Sequence, residues 1–292
     1  MLNDQAAGLR AMHANKTQSN DSVPQPVRVI AVASGKGGVG KTNVSVNLGI
    51  SLAQQGNRVL LMDADMGLAN VDIMLGLQTK YNLSHVLDGE KTLQEVIVEG
   101  PGGLKIIPAA SGVRRMAQLS AMENAGIINA FSELSDELDI LVVDTAAGIA
   151  DSVISFCRAA QEVVVVVTDE PASITDAYAL VKVLSRDYNL SKFRLLANMS
   201  RTPAHGQQLY EKFARVCEQF LDVSIDYLGT VPFDHDLREA VQKQVPVTVY
   251  RPNSLAAKAF KGMANKIETW PIPRGVTGYL QFFVENLFQS GR

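Results

Sequence analysis

The sequence predicts an α/β doubly wound domain: a mostly parallel sheet of about seven to eight strands with helices on both faces. Three observations carry that expectation. From Val27 onward, short β-branched runs alternate with segments of helix length. Several runs are apolar at every position, as strands buried on both faces must be. A glycine-rich segment lies between the first strand and the first long helix, and this fold places its ligands at the carboxyl ends of strands.

The elements follow in order. Residues 1–26 are polar and close on Pro24-Gln25-Pro26, which reads as a flexible arm. The domain proper spans 27–270. Strands are expected at 27–33, 58–62, 104–107, 140–143, 163–168, 193–197 and 227–231, and helices at 42–55, 121–134, 173–185 and 206–220. Residues 271–292 form a Pro/Gly joint and a C-terminal amphipathic helix of about 12 residues, about 18 Å long. On that helix Tyr279, Phe283 and Leu287 share one stripe, and Leu280, Val284 and Phe288 the next. Gln281, Glu285 and Gln289 point the other way.

Composition narrows the function. Of 292 residues, 47% are apolar and 20% charged, enough for a packed core and unlike a disordered chain. No run approaches the ~18 apolar residues of a membrane-spanning helix. Twenty-seven basic against 30 acidic side chains leave a net charge of -3, which argues against a dominant nucleic-acid surface, so no direct DNA binding is expected. The two cysteines, Cys157 and Cys217, are too few for a disulfide scaffold or a four-thiolate metal site and read as packing residues. The start, MLNDQAAGLR, lacks a cationic region followed by an apolar core, so the expected compartment is the cytoplasm.

The residues with chemistry follow strands. Gly35-Lys36-Gly37-Gly38-Val39-Gly40-Lys41-Thr42 fits G-x-x-x-x-G-K-[ST] in the strand–loop–helix setting that a phosphate loop requires. Glycines let backbone N–H groups approach phosphate oxygens, and the helix N-terminus favours an anion. Lys41 is expected on the β/γ-phosphates and the Thr42 hydroxyl on Mg²⁺, which makes ATP and Mg²⁺ the expected ligands. Asp63 and Asp65 follow the second strand; carboxylates beside phosphates hold metal-bound water or orient an attacking water. Asp144 ends the strand at 140–143, the Mg²⁺-binding arrangement of nucleotide hydrolases. Gly148 can let its loop move. Asn198 follows another strand, and its amide offers a donor and an acceptor to a base.

Lys36-Gly37-Gly38-Val39-Gly40-Lys41-Thr42 resembles the deviant Walker A signature K-G-G-x-G-K-[ST] of the MinD/ParA family of dimerising ATPases. Asp63-Ala64-Asp65 and Asp144-Thr145-Ala146-Ala147-Gly148 resemble its two switches, D-x-D and D-[ST]-x-x-G. The resemblance implies a slow ATPase that forms a homodimer on ATP. In it Lys36 would reach the partner subunit's nucleotide, Asp65 would position the water, and Asp63 would support the metal site. Asn198, Pro232 and Asp234 would border the base. Asp4-Gln5-Ala6-Ala7-Gly8-Leu9-Arg10 resembles the D-Q-A-x-x-L-R arm of the flagellar-number ATPases of the MinD-like class. That further likeness implies control of flagellum number and placement. The implied partners are a flagellar SRP-type GTPase, activated through Gln5, a flagellar transcription activator and flagellar C-ring proteins. By the same likeness Phe282, Phe283, Leu287 and Phe288 would attach the C-terminal helix to lipid at the inner face of the cytoplasmic membrane. The other reading of that helix is that it packs on its own domain. A DNA-partition ATPase and an adaptor with vestigial hydrolysis are the alternatives in function.

Overall fold

Strand β1 (Arg28–Ser34) leads into helix α1 (Lys41–Ala53) and then β2 (Val59–Ala64). Short helices α2 (Val71–Leu75), α3 (Leu83–Leu87) and α4 (Leu93–Val96) precede β3 (Val98–Glu99) and β4 (Lys105–Ile107). Next come α5 (Ala121–Leu134), β5 (Ile140–Ala147), α6 (Asp151–Ala159) and β6 (Glu162–Val167). They are followed by α7 (Pro171–Arg186), β7 (Lys192–Ser200), α8 (Pro203–Leu221) and β8 (Ser224–Pro232). The chain closes with α9 (His235–Gln242), α10 (Val247–Tyr250), α11 (Leu255–Glu268) and α12 (Leu280–Gln289). This computed structural model describes residues 26–65, 70–108, 121–271 and 280–289. The arm with Gln5 lies outside them.

The eight strands run in the order β3-β4-β2-β5-β1-β6-β7-β8. All neighbours pair parallel except β3, which pairs antiparallel with β4. The expected doubly wound sheet is therefore present, with a two-residue edge strand that the sequence reading lacked. β1 alternates between two cores. Ile30 and Val32 join the face covered by α1 and α11, while Ala31 and Ala33 face α6 and α7. Because parallel strands are covered on both sides, no polar face remains to give an alternating pattern.

Two helices outside the expected ranges complete the layers. α6 buries Val153, Ile154, Phe156 and Cys157, and α11 buries Phe260, Met263, Ala264 and Ile267. The C-terminal helix is present at Leu280–Gln289, and Tyr279 lies outside the described residues. Leu280, Phe283, Val284 and Leu287 are buried in one cluster with Phe131 of α5 and Phe156 of α6. Its apolar face therefore packs on its own domain in this conformation. The side chains of Phe282 and Phe288 lie outside the described set.

The amino ends of the strands are tied by buried cations. Arg28 donates to the carbonyls of Ile267, Trp270 and Pro271 at 2.7, 2.8 and 3.2 Å, pinning the exit of α11 to β1. Arg194 pairs with Glu162 at 3.0 Å and with Asp226, and its guanidinium stacks 4.4 Å from the Trp270 ring centre. Arginine suits this site because its planar fork binds carboxylates while its face lies on an aromatic ring. Both guanidinium groups are thus held by acceptors at this end of the sheet, away from the glycine-rich loop.

Candidate nucleotide-binding site

The loop from Ser34 to Lys41 crosses the carboxyl end of the sheet between β1 and α1. Gly40 has φ +83°, and a Cβ there would lie 2.6 Å from Asn198 Nδ2, so two constraints demand glycine at once. A Cβ on Gly35 would meet the α7 backbone at Asp176 at 2.1 Å. The loop is therefore seated against β7 on one side and α7 on the other. It opens onto a cleft of about 510 Å³, lined by Lys36, Lys41, Thr42 and Asp65 among others, in the range of small-molecule sites.

At the base of the cleft Lys41 Nζ lies 2.9 Å from Asp144 Oδ1, with both side chains buried. The Ser45 hydroxyl donates to the same oxygen at 2.7 Å. Asp144 Oδ2 is buried with no hydrogen-bond partner. Asp63 stands beside Asp144 in the β2–β5 register. Its Oδ1 accepts from the Asp65 N–H at 3.0 Å, and its Oδ2 from those of Asn70 and Val71 at 3.2 and 3.3 Å. One carboxylate thus closes both ends of the loop that carries Asp65. Burial, reinforced by the Asp144 charge, pushes the Asp63 carboxyl up to about 6 against the pull of these N–H groups.

Lys36 Nζ lies 2.9 Å from Glu170 Oε2 at the start of α7, with both groups largely exposed. Gly148 has φ +95° and donates its N–H to Ser34 O at 2.8 Å, which joins the Asp144 loop to the phosphate loop.

The base-side residues separate. Asn198 Nδ2 donates to Val39 O at 2.7 Å, while its Oδ1 is buried and without a partner. One of the two amide hydrogens is used in that bond, which leaves a second N–H donor beside the unpartnered acceptor. Pro232 ends β8, buried, opposite Ser200. Asp234 caps two helices. One oxygen accepts from Asp236 N at 2.8 Å as the cap of α9, and the other from Ala256 N at 2.8 Å at the start of α11. Each oxygen thus serves a helix N-terminus.

Several residues were missed by sequence reasoning. Ser45 sits one helical turn beyond Lys41, a spacing that puts it on the same face. Met199, at φ +53° in a register shift of β7, and Phe233 are each about half exposed near this end of the sheet. No sequence signal marks a bulge. Cys157 and Cys217 are free and buried, and desolvation pushes both thiols up to about 12, as in packing residues. Among the described residues, no group of three or more His, Cys, Asp or Glu side chains is arranged to hold a metal.

Comparison with known proteins agrees with this geometry. The family profile described as "ParA: NUBPL iron-transfer P-loop NTPase" matches residues 25–268. "Antiactivator FleN" of Pseudomonas aeruginosa is 57% identical over 90% of this chain and 94% of its own length. "Flagellum site-determining protein YlxH" of Helicobacter pylori is 35% identical over 97% of both chains. Among solved structures, the MinC:MinD cell division complex of Aquifex aeolicus aligns with TM-score 0.66 at 26% identity, covering 85% of this chain and 99% of that one. MinD of Pyrococcus horikoshii, complexed with Mg-ADP, shares the fold at TM-score 0.65 and 24% identity, covering 83% of this chain and 96% of that one. A phosphate loop, two aspartates after adjacent strands and similarity along nine-tenths of the chain converge: the chain belongs to the ParA/MinD family of P-loop NTPases.

Proposed function

We propose that the chain is a slow ATPase that dimerises on ATP and acts as a timing switch in setting flagellum number and placement. The observation that carries the chemistry is the buried Lys41–Asp144 pair with one orphaned carboxylate oxygen. An unpartnered buried carboxylate oxygen, together with a hydroxyl on the cleft wall such as that of Thr42, suits a hard divalent cation. Thr42 and Asp144, with Asp63 in support, would hold Mg²⁺, which neutralises charge shared by the β and γ oxygens. Lys41 exchanges Asp144 for the β/γ-phosphates. Asp65, on the cleft wall, orients the attacking water. Lys36 leaves Glu170 for the partner subunit's nucleotide; an exposed pair is worth only about 0–1 kcal/mol, so that exchange is easy. Gly35, Gly37, Gly38, Val39 and Gly40 wrap the phosphates, and Asn198 Oδ1 with Pro232 borders the base.

The flagellar task rests on the FleN and YlxH likeness. The arm would activate an SRP-type GTPase through Gln5, and the ATP-bound dimer would engage a flagellar transcription activator and C-ring proteins. Peripheral membrane attachment through α12 requires undocking, because Phe283 and Leu287 are buried. The test is phosphate release by purified protein with ATP and Mg²⁺, set beside flagellar counts in cells lacking the protein. Turnover abolished by Lys41→Ala together with altered flagellar number supports the proposal. Absence of ATP turnover in the wild type, or unchanged counts, refutes it.

A further inference from the structure

Helix α9 ends in a turn where the chain must take a left-handed residue. Gln244 N–H bonds Val241 O at 3.1 Å and Val245 N–H bonds Ala240 O at 3.0 Å, the paired closure that usually carries glycine. Here the residue is Gln244, at φ +56°. A long side chain in that conformation costs energy relative to glycine, so the side chain needs a use. Its Nε2 donates to Ile73 O in α2 at 2.8 Å. Gly76, itself at φ +60°, leaves room there: a Cβ on it would sit 3.7 Å from Gln244 Cβ.

The position of this bond is the important point. Gln244, Val241, Ile73 and Met74 all line the cleft that holds the phosphate loop and Asp65. α2 begins where the Asp63-stapled loop ends, at Asn70 and Val71. α9 begins at Asp234, directly after the base-side strand. The Gln244–Ile73 bond therefore joins the wall that follows the catalytic loop to the wall that follows the base-side strand.

We infer that Gln244 is a positioning residue: a clasp across the cleft mouth that slows nucleotide release by coupling α2 to α9. It rests on the ATP-binding proposal above. Widening the mouth separates α2 from α9 and breaks this bond. Ile73 and Val241, 61% and 40% exposed, flank it and offer little apolar contact to hold the walls otherwise.

The test uses the full chain, fluorescent methylanthraniloyl-ATP with Mg²⁺, and three variants. Gln244→Gly and Gln244→Asn both suit the left-handed turn but cannot reach Ile73. Gln244→Lys keeps a donor at similar length. Gly and Asn should release nucleotide about three- to tenfold faster, the span one modest hydrogen bond supplies, with melting temperatures equal to wild type or higher. Lys should release within twofold of wild type. Release by Gln244→Gly within twofold of wild type overturns the clasp, as does a loss of melting temperature in that variant, which would make the contact merely structural. Failure of wild type to bind the probe would instead reject the nucleotide site itself.

Discussion

Lys41 and Asp144 neutralise one another in the dry base of the cleft, and each depends on the other. Removing one partner of a buried pair costs about 3–5 kcal/mol, because an uncompensated charge remains. Lys41→Ala should thus lose nucleotide binding and also destabilise the empty protein by about 3 kcal/mol. Adding Asp144→Asn should restore most of that stability but none of the binding. Urea unfolding of the single and double variants checks this; equal stability of the two would show that the pair is not coupled.

Asp63 gives a pH signature. Its carboxyl lies at about 6 in the folded chain and at the ordinary 3.8 when unfolded. The folded state holds the proton more tightly, so stability falls as pH rises from about 4 to about 6 and is flat above. Two units correspond to about 3 kcal/mol at most. Asp63→Asn should flatten this part of the stability–pH curve in urea titrations. A variant curve parallel to wild type would assign the pH dependence to another group. The motif glycines, Lys41, Thr42 and Asp144 were legible because phosphate chemistry fixes their spacing. The capping bonds of Asp234 were not readable, because an acid after a strand serves equally as a base contact or a helix cap. Ser45 carries no signal, since a serine inside a helix is ordinary until its partner is seen.

At the scale of elements, the expected strands lie where apolar runs lie, and the helix at 121–134 has the expected ends. β3 was invisible because two residues cannot show a period. α11 carries a readable helical repeat at Ala256, Phe260, Met263, Ala264 and Ile267 behind the Ser254 cap. α12 shows what periodicity cannot decide: an amphipathic stripe is the same whether lipid or protein covers it. Here protein covers it. Without nucleotide, the wild type should stay in the supernatant with anionic phospholipid vesicles. Phe131→Ala, which hollows the cluster that receives α12, should lower stability by about 3–5 kcal/mol and increase vesicle binding. Loss of stability with no gain in sedimentation would make α12 a permanent part of the domain.

At the scale of the molecule, the sheet separates its two ends. Arg28 and Arg194 lock the amino ends of the strands, and the carboxyl ends present Lys36, Lys41, Asp65 and Asp144 together. Lys36 has only an exposed pair with Glu170 to leave, so a second protomer can recruit it. We propose that ATP makes this face a dimer interface through Lys36. Light scattering of the wild type and Lys36→Ala, with ADP and with ATP in Mg²⁺, tests it most directly. The wild type should double its mass with ATP and not with ADP, while Lys36→Ala stays at monomer mass with either nucleotide. A wild type that stays monomeric on ATP, or a Lys36→Ala protein that dimerises like it, would contradict the account.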